Sequence, residues 1–318
     1  MLPPSVHAVL EFTFAPIAQV GPWSVRLETI ALAVVVFIAL VLAVRIARTT
    51  PVDVRREPGD RLPPDDEPNH LRADDLLFIA IAAIPGAVAG GRLGYMLLHL
   101  DYYTANQGAI LDMSQGAFEL SLAVVGGTLT AAIVASLLGA PVGRWMHALI
   151  LPLLLALAAG KVAMVLGGDG QGVPWDGRWA TAYLGPGPWG SLAPALPSHP
   201  SQAYEAFATV GVILVLAMLL TLGRFERRAG GAFLLGVAMW AVARAIVATT
   251  WRDPAVAGPL NMGQVLALVV AAGMLVLLVV HSIVVRRRPL EPDVASSPDE
   301  VDDPSSPNWA EPTQRPQI

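Results

Sequence analysis

The sequence contains no cysteine, a single lysine and few charged residues of any kind. The missing cysteine excludes disulfide bonds, thiolate metal sites and a cysteine nucleophile within the chain. Charged residues make up 14% of the 318 residues, against roughly 25% in soluble domains, while hydrophobic residues make up 54%. Together with a mean hydropathy of +0.58, these proportions indicate an integral membrane protein.

Long apolar runs account for that composition. A helix needs about 20 predominantly apolar residues to cross the hydrocarbon core of a bilayer, and seven segments of the chain meet this condition. We therefore predict an all-α integral membrane protein with about seven transmembrane helices. The predicted helices cover Leu27–Ala47, Leu76–Leu98, Phe118–Leu138, His147–Gly167, Ala203–Leu222, Gly231–Thr249 and Met262–Val285.

The arginines of the loops predict how these helices are oriented, because positive residues are enriched in cytoplasmic loops. Twelve arginines follow the first, third, fifth and seventh segments, whereas the opposite side holds three, Arg26, Arg178 and Arg252. We therefore expect the N-terminus outside and the C-terminus in the cytoplasm. No basic region leads into an apolar core at the N-terminus, so we expect no cleavable signal peptide.

This organisation divides the chain into three parts. Residues 1–26 are expected to be an extracytoplasmic segment, residues 27–285 the seven-helix membrane domain, and residues 286–318 a cytoplasmic tail. The tail is rich in proline, serine and acidic residues. Because such a segment has little to bury, we expect it to be disordered.

Ionisable and polar residues also occur inside or at the ends of the predicted helices, where charge is costly and usually marks a functional site. The spacing of Arg92, Tyr95 and His99 puts them on one face of the second helix. The single lysine, Lys161, lies in the fourth helix and Arg244 in the sixth. The remaining candidates are His199, Gln202 and Glu205 at the start of the fifth helix, and Asn261 and Gln264 at the start of the seventh.

In the predicted topology Arg92, Lys161, Glu205, Arg244 and Gln264 all fall in the outer half of the bilayer. Snorkelling of long side chains to the interface does not readily explain this convergence. Three cations against one buried carboxylate favour a pocket for an anionic group, such as a lipid phosphate. A purely structural ion-pair network is the alternative.

Two features of the backbone accompany these side chains. Pro200 stands where the fifth helix begins, and the amides of that first turn would add positive potential for a phosphate. The glycine pairs Gly90–Gly91 and Gly126–Gly127 permit close approach either to a ligand or to a neighbouring helix, and helix packing is the commoner use.

These motifs resemble those of the prolipoprotein diacylglyceryl transferases. The segments GGRLGYMLLH, the glycine pair at Gly126, HPSQAYEA and NMGQ occur in the family's order, and the resemblance extends from Gly21 to about Val285. The family has seven helices and transfers a diacylglyceryl group from phosphatidylglycerol to a lipobox cysteine in a secreted preprotein, releasing glycerol phosphate. Because the thiol belongs to the substrate, the missing cysteine is no obstacle.

The resemblance implies a site and its partners. Catalytic residues would be His199, Glu205 and Arg244, with His99 as a further candidate base. The expected partners are phosphatidylglycerol and a prolipoprotein signal peptide with its lipobox cysteine. The expected location is the bacterial inner (plasma) membrane, and we expect no cofactor, metal or nucleic acid. Substrate-binding residues would be Arg92, Tyr95, Gly126, Gly127, Lys161, Gln202, Tyr204, Asn261 and Gln264.

Several positions depart from the family pattern, among them Met164, which stands where the family has an asparagine. Val125 replaces the histidine of His-Gly-Gly, Lys161 replaces an arginine, Ala248 replaces a glutamate one turn after Arg244, and Glu28 replaces a tyrosine. A catalytically degenerate paralogue that binds phospholipid or lipoprotein precursor without transfer is therefore an alternative. A seven-helix receptor or retinal protein is a third, although the lysine of a retinal protein would lie in the last helix rather than the fourth.

Overall fold

The computed structural model describes residues 9–52, 70–112, 118–185, 196–225 and 229–287. Seven helices among them are long and apolar enough to cross a membrane, which confirms the prediction of seven. The tail predicted to be disordered, residues 286–318, lies outside the described residues except for its first two positions. The long helices are α1 (Leu27–Thr49), α2 (Ala73–Leu98), α4 (Leu120–Leu137), α5 (Val142–Gly167), α6 (Ser201–Thr221), α7 (Gly231–Val247) and α8 (Met262–Arg287), and α3 (Leu100–Ala105) is short.

Short strands lie at the end of the bundle where α1 begins and α5 ends, which we call the capped end. Strand β1 (Leu10–Phe12) pairs in parallel with β4 (Thr181–Tyr183). Two antiparallel pairs join β2 (Ile17–Val20) to β3 (Trp23–Arg26), and β5 (Ala255–Ala257) to β6 (Leu260–Asn261). These strands are not predictable from the sequence, since two to four residues are too few to show a periodic pattern.

Helix α7 is the centre of the bundle. Its membrane-spanning part is 67% buried, against 17–28% for the other six. Buried Trp240 and Val237 of α7 belong to one core with Ile150 of α5, Leu216 of α6 and Met274 of α8. A charged residue on α7 is therefore surrounded by protein rather than by lipid.

Glycine sets the spacing between α2 and α4. A Cβ atom added to Gly90 would overlap the carbonyl of Leu122, and one added to Gly126 would overlap the carbonyl of Gly86. An added Cβ on Gly127 would meet the Ala83 carbonyl at 3.2 Å. The geometry of Gly126 is thus explained by helix packing, and a contact of Gly126 or Gly127 with substrate stays a prediction.

Candidate active site

Four ionisable side chains form a buried ion-pair network near the capped end. Lys161 Nζ lies 3.0 Å from Glu205 Oε2, Glu205 Oε1 contacts Arg244 Nη1, and Arg244 Nη2 lies 3.3 Å from Glu119 Oε1. The Lys161 side chain is 14% exposed, while the other three are between 1% and 5% exposed. Lys161 is therefore the member that an incoming ligand can reach most easily.

Glu119 is a site residue that the sequence analysis missed. It precedes α4 directly, and its two carboxylate oxygens accept hydrogen bonds from the Ser121 and Leu122 amides, each at 2.8 Å. An acidic residue before a long apolar helix signals such an N-cap, but it does not reveal a partner on α7. The expectation of three cations against one buried carboxylate is corrected here, because the network holds two of each.

Arg244 is held from several sides. Its Nε donates to Ser121 Oγ at 3.1 Å. The guanidinium also lies over the ring of Trp251, 4.5 Å from its centroid, and 5.9 Å from that of Trp240. Cation–π contacts and ion pairs in a desolvated site fix such a group firmly. The orientation of Arg244 is therefore set by α4, α6 and its own helix together.

Arg92 lies in a separate cluster, although it was expected beside Lys161 and Arg244. Its side chain lies 5.3 Å from the ring of Tyr103 and 6.0 Å from that of Tyr95. The rings of Tyr95 and His99 are in contact, with centroids 4.2 Å apart and planes tilted by 36°, as their predicted common face requires. The Arg92 guanidinium donates hydrogen bonds to the carbonyls of Ala109, Ile110 and Asp112, at 2.9, 3.4 and 2.7 Å. These contacts tie the segment after α3 to α2.

His199 and Tyr204 belong to an aromatic cluster at the capped end. The His199 ring stacks on Trp175 with centroids 4.4 Å apart, and its Nδ1 lies 3.4 Å from Tyr204 Oη. Trp179 Nε1 donates to the same hydroxyl at 2.8 Å. Burial lowers the pKa of His199 below its ordinary value of 6.5.

The other predicted binding residues differ in whether their polar side-chain atoms already have hydrogen-bond partners. Gln202 lies one turn before Glu205, is 4% exposed, and its Oε1 has no hydrogen-bond partner among the described residues. A buried acceptor of this kind calls for a donor. Asn261 and Gln264 instead cap each other's backbone amides and donate to the Ala248 and Ala245 carbonyls. Their role here is structural, and their contact with substrate stays a prediction.

Glu28, at the position where a tyrosine was expected, belongs to an acidic pair bridged by Arg26. Arg26 Nη2 lies 3.0 Å from Glu28 Oε2 and 3.5 Å from Asp169 Oδ2. Burial, and then repulsion from Glu28, raise the pKa of Asp169 from 3.8 to about 6, and Arg26 opposes this rise. The bridge fastens β3 to the end of α5, the helix that carries Lys161.

The raised pKa of Asp169 predicts how stability depends on pH. The folded chain binds this proton more tightly than the unfolded chain, so the contribution to stability is complete below about pH 4 and is lost as pH rises through about 6. The melting temperature of Asp169→Asn minus that of the wild type should therefore rise between about pH 4 and 7. Tryptophan-fluorescence melts in detergent measure this, with the exposed Glu11→Gln as control. A difference that falls over this range would contradict the assignment.

Comparison with known proteins identifies the family. The sequence model of the prolipoprotein diacylglyceryl transferase family matches residues 16–280. Phosphatidylglycerol–prolipoprotein diacylglyceryl transferase of Trichormus variabilis is 27% identical over 90% of this chain and 95% of its own length. The enzyme of that name from Verminephrobacter eiseniae is 32% identical over 81% of this chain and 90% of its own length. This chain, with its seven membrane-capable helices and buried ion-pair network, belongs to the prolipoprotein diacylglyceryl transferase family.

Proposed function

We propose that this chain transfers the diacylglyceryl group of phosphatidylglycerol to the lipobox cysteine thiol of a prolipoprotein. The sulfur forms a bond to the glyceryl carbon, and the bond from that carbon to the phosphate oxygen breaks. Glycerol phosphate leaves with the electron pair, and the thiol proton passes to a base. The observation that carries the proposal is the buried network of Lys161, Glu205, Arg244 and Glu119, placed in a chain of this family.

The cations of the network supply the phosphate site. Lysine has three N–H donors and arginine five. Glu205 takes one donor of Lys161, and Ser121, Glu205 and Glu119 accept from three nitrogens of Arg244. The remaining donors of both side chains can bind the phosphate and stabilise the charge that develops on the leaving group. In a site that excludes water this stabilisation is the largest expected contribution to catalysis.

Glu205 is the base that this geometry favours. Both its oxygens face cations, Lys161 on one side and Arg244 on the other. A phosphate that draws Lys161 towards itself releases Glu205 Oε2, which can then accept the thiol proton. The base would thus become available only after the donor lipid has bound. His199 remains the alternative base, within its aromatic cluster.

Gln202 offers a contact for the headgroup. Gln202 lies one turn before Glu205, towards the capped end, and its Oε1 has no hydrogen-bond partner in the part of the chain that the structure describes. The glycerol headgroup of phosphatidylglycerol carries hydroxyl donors that such an acceptor can bind. Arg92, Tyr95 and Tyr204 would then line the approach to the site rather than hold the phosphate.

We also propose that the chain lies in the bacterial inner membrane with the capped end outside, where exported prolipoproteins are presented. The twelve-to-three distribution of arginines supports this orientation. Residues 1–26 would then be extracytoplasmic and residues 286–318 cytoplasmic.

Because the chain has no cysteine, introduced thiols report the orientation without background. Ser24→Cys, on the exposed β2–β3 hairpin, should react with an impermeant thiol reagent in intact cells. Ser136→Cys, exposed at the opposite end of α4, should react only after lysis. The reverse pattern would show that the N-terminus is cytoplasmic.

Transfer itself is tested with the purified chain in phosphatidylglycerol vesicles and a synthetic lipobox peptide. Mass spectrometry should show a peptide heavier by one diacylglyceryl group, and no change in a peptide with serine in place of cysteine. Rescue of a strain depleted of its own transferase is the corresponding test in cells. A folded chain that binds phosphatidylglycerol but gives neither result would be a lipid-binding relative without transferase activity.

A further inference from the structure

A cavity of about 430 Å³ lies among α1, α2, α4 and α5. Its wall is almost entirely apolar and is built largely from small residues, including Ala83, Ala87, Ala131 and Ala135. Alanines at these positions leave space that leucines would fill. Because the cavity lies within the membrane-spanning part of the helices, an occupant must itself be apolar.

One end of the cavity adjoins the proposed active site. Leu120 and Val124 line it. Leu120 stands in the chain between Glu119, which precedes α4, and Ser121 of α4, and both of these residues contact Arg244. Buried residues that also line the cavity, among them Trp145 and Leu76, lie towards the opposite end of the bundle. A molecule that filled the cavity would therefore extend along α4 from Leu120, the chain neighbour of Glu119, towards Ala135.

Part of the cavity wall is exposed at the side of the bundle. Val36 and Leu40 of α1 line it and are 51% and 39% exposed. A chain that is already in the bilayer can enter between the helices at this point. Since hydrocarbon of the bilayer is as apolar as the cavity wall, burial alone gives no selectivity. Selection would instead depend on whether the chain fits the space.

We propose that the cavity holds one acyl chain of the donor phospholipid and limits its length. Leu120 and Ala135 are about 22 Å apart along α4 at 1.5 Å per residue. An extended acyl chain advances about 1.25 Å per bond, so this distance accommodates about 18 carbons. The inference rests on the proposed function, because it identifies the lipid of the cavity with the lipid consumed at the network.

Ala131 gives the sharpest test. It lies about 16 Å from Leu120, at the depth of about the thirteenth carbon, and is half-buried on the cavity wall. With equimolar phosphatidylglycerols carrying 12-carbon or 18-carbon chains, Ala131→Leu should lower transfer from the longer lipid at least tenfold relative to the shorter. Leu149→Ala, which removes a wall side chain, should shift the ratio the other way. Ala272→Leu, an exposed position on α8, is the matched control and should keep the wild-type ratio.

Binding provides a second readout. Native mass spectrometry of the same variants measures the ratio of the two bound lipids without requiring transfer. If the wild type transfers nothing, the proposed function fails while the binding ratio still tests the cavity. If Ala131→Leu does not fold, the shift of the lipid ratio expected for Leu149→Ala tests the cavity instead. Folded variants that transfer and bind both lipids in the wild-type ratio would overturn the proposal.

Discussion

Replacing Glu205 with glutamine is expected to lower the rate of diacylglyceryl transfer by about 10²–10⁴-fold, the range that a positioned general base contributes. Glutamine keeps the size of the side chain and can still contact Arg244, but it cannot accept the thiol proton. The rate is measured by mass spectrometry of the lipobox peptide, after size-exclusion chromatography in detergent has shown that the variant is folded.

Glu119→Gln is the matched control for this prediction. Glu119 and Glu205 are both buried carboxylates in contact with the Arg244 guanidinium, and Glu205 alone of the two also pairs with Lys161. Either substitution removes one negative charge from the network. If Glu205 is the base, Glu119→Gln should stay within about tenfold of the wild-type rate. Equal losses in the two variants would mean that Glu205 only positions Arg244 and that the base is another group, with His199 the next candidate.

Lys161→Met is expected to lower transfer by about 10²–10³-fold, the effect of removing one donor that stabilises developing charge in a closed site. It should also weaken binding of phosphatidylglycerol, because Lys161 is the most accessible cation of the network. Lys161→Arg keeps the charge and offers a bidentate contact with phosphate, so it should retain or exceed the wild-type activity. Transfer kinetics and native mass spectrometry of bound lipid measure the two effects separately.

Arg45→Met provides the control for loss of a positive charge. Arg45 is exposed near the end of α1 away from the capped end, where one charge contributes little. Its replacement should change activity and lipid binding by less than about twofold. Similar losses in Lys161→Met and Arg45→Met would leave no basis for a phosphate site at the network.

The candidate site was only partly predictable from the sequence. Lys161, Glu205 and Arg244 were recognised because each is a charged residue inside a long apolar segment, where charge is costly. Glu119 was passed over, since its partner Arg244 is 125 positions away in the chain and its position also suits an ordinary helix cap. Arg92 was assigned to the same pocket by depth alone, but depth does not say in which direction a side chain leaves its helix.

The seven helices followed from the sequence because a run of about 20 apolar residues is a local property that a bilayer can satisfy only as a helix. The family followed as well, through short motifs such as HPSQAYEA. Tertiary structure alone decided that α7 is central, that glycine lets α2 approach α4, and that Glu119 balances Arg244. These features depend on how helices rotate and pack against one another. Such packing is a property of residue pairs far apart in the chain, which no single segment encodes.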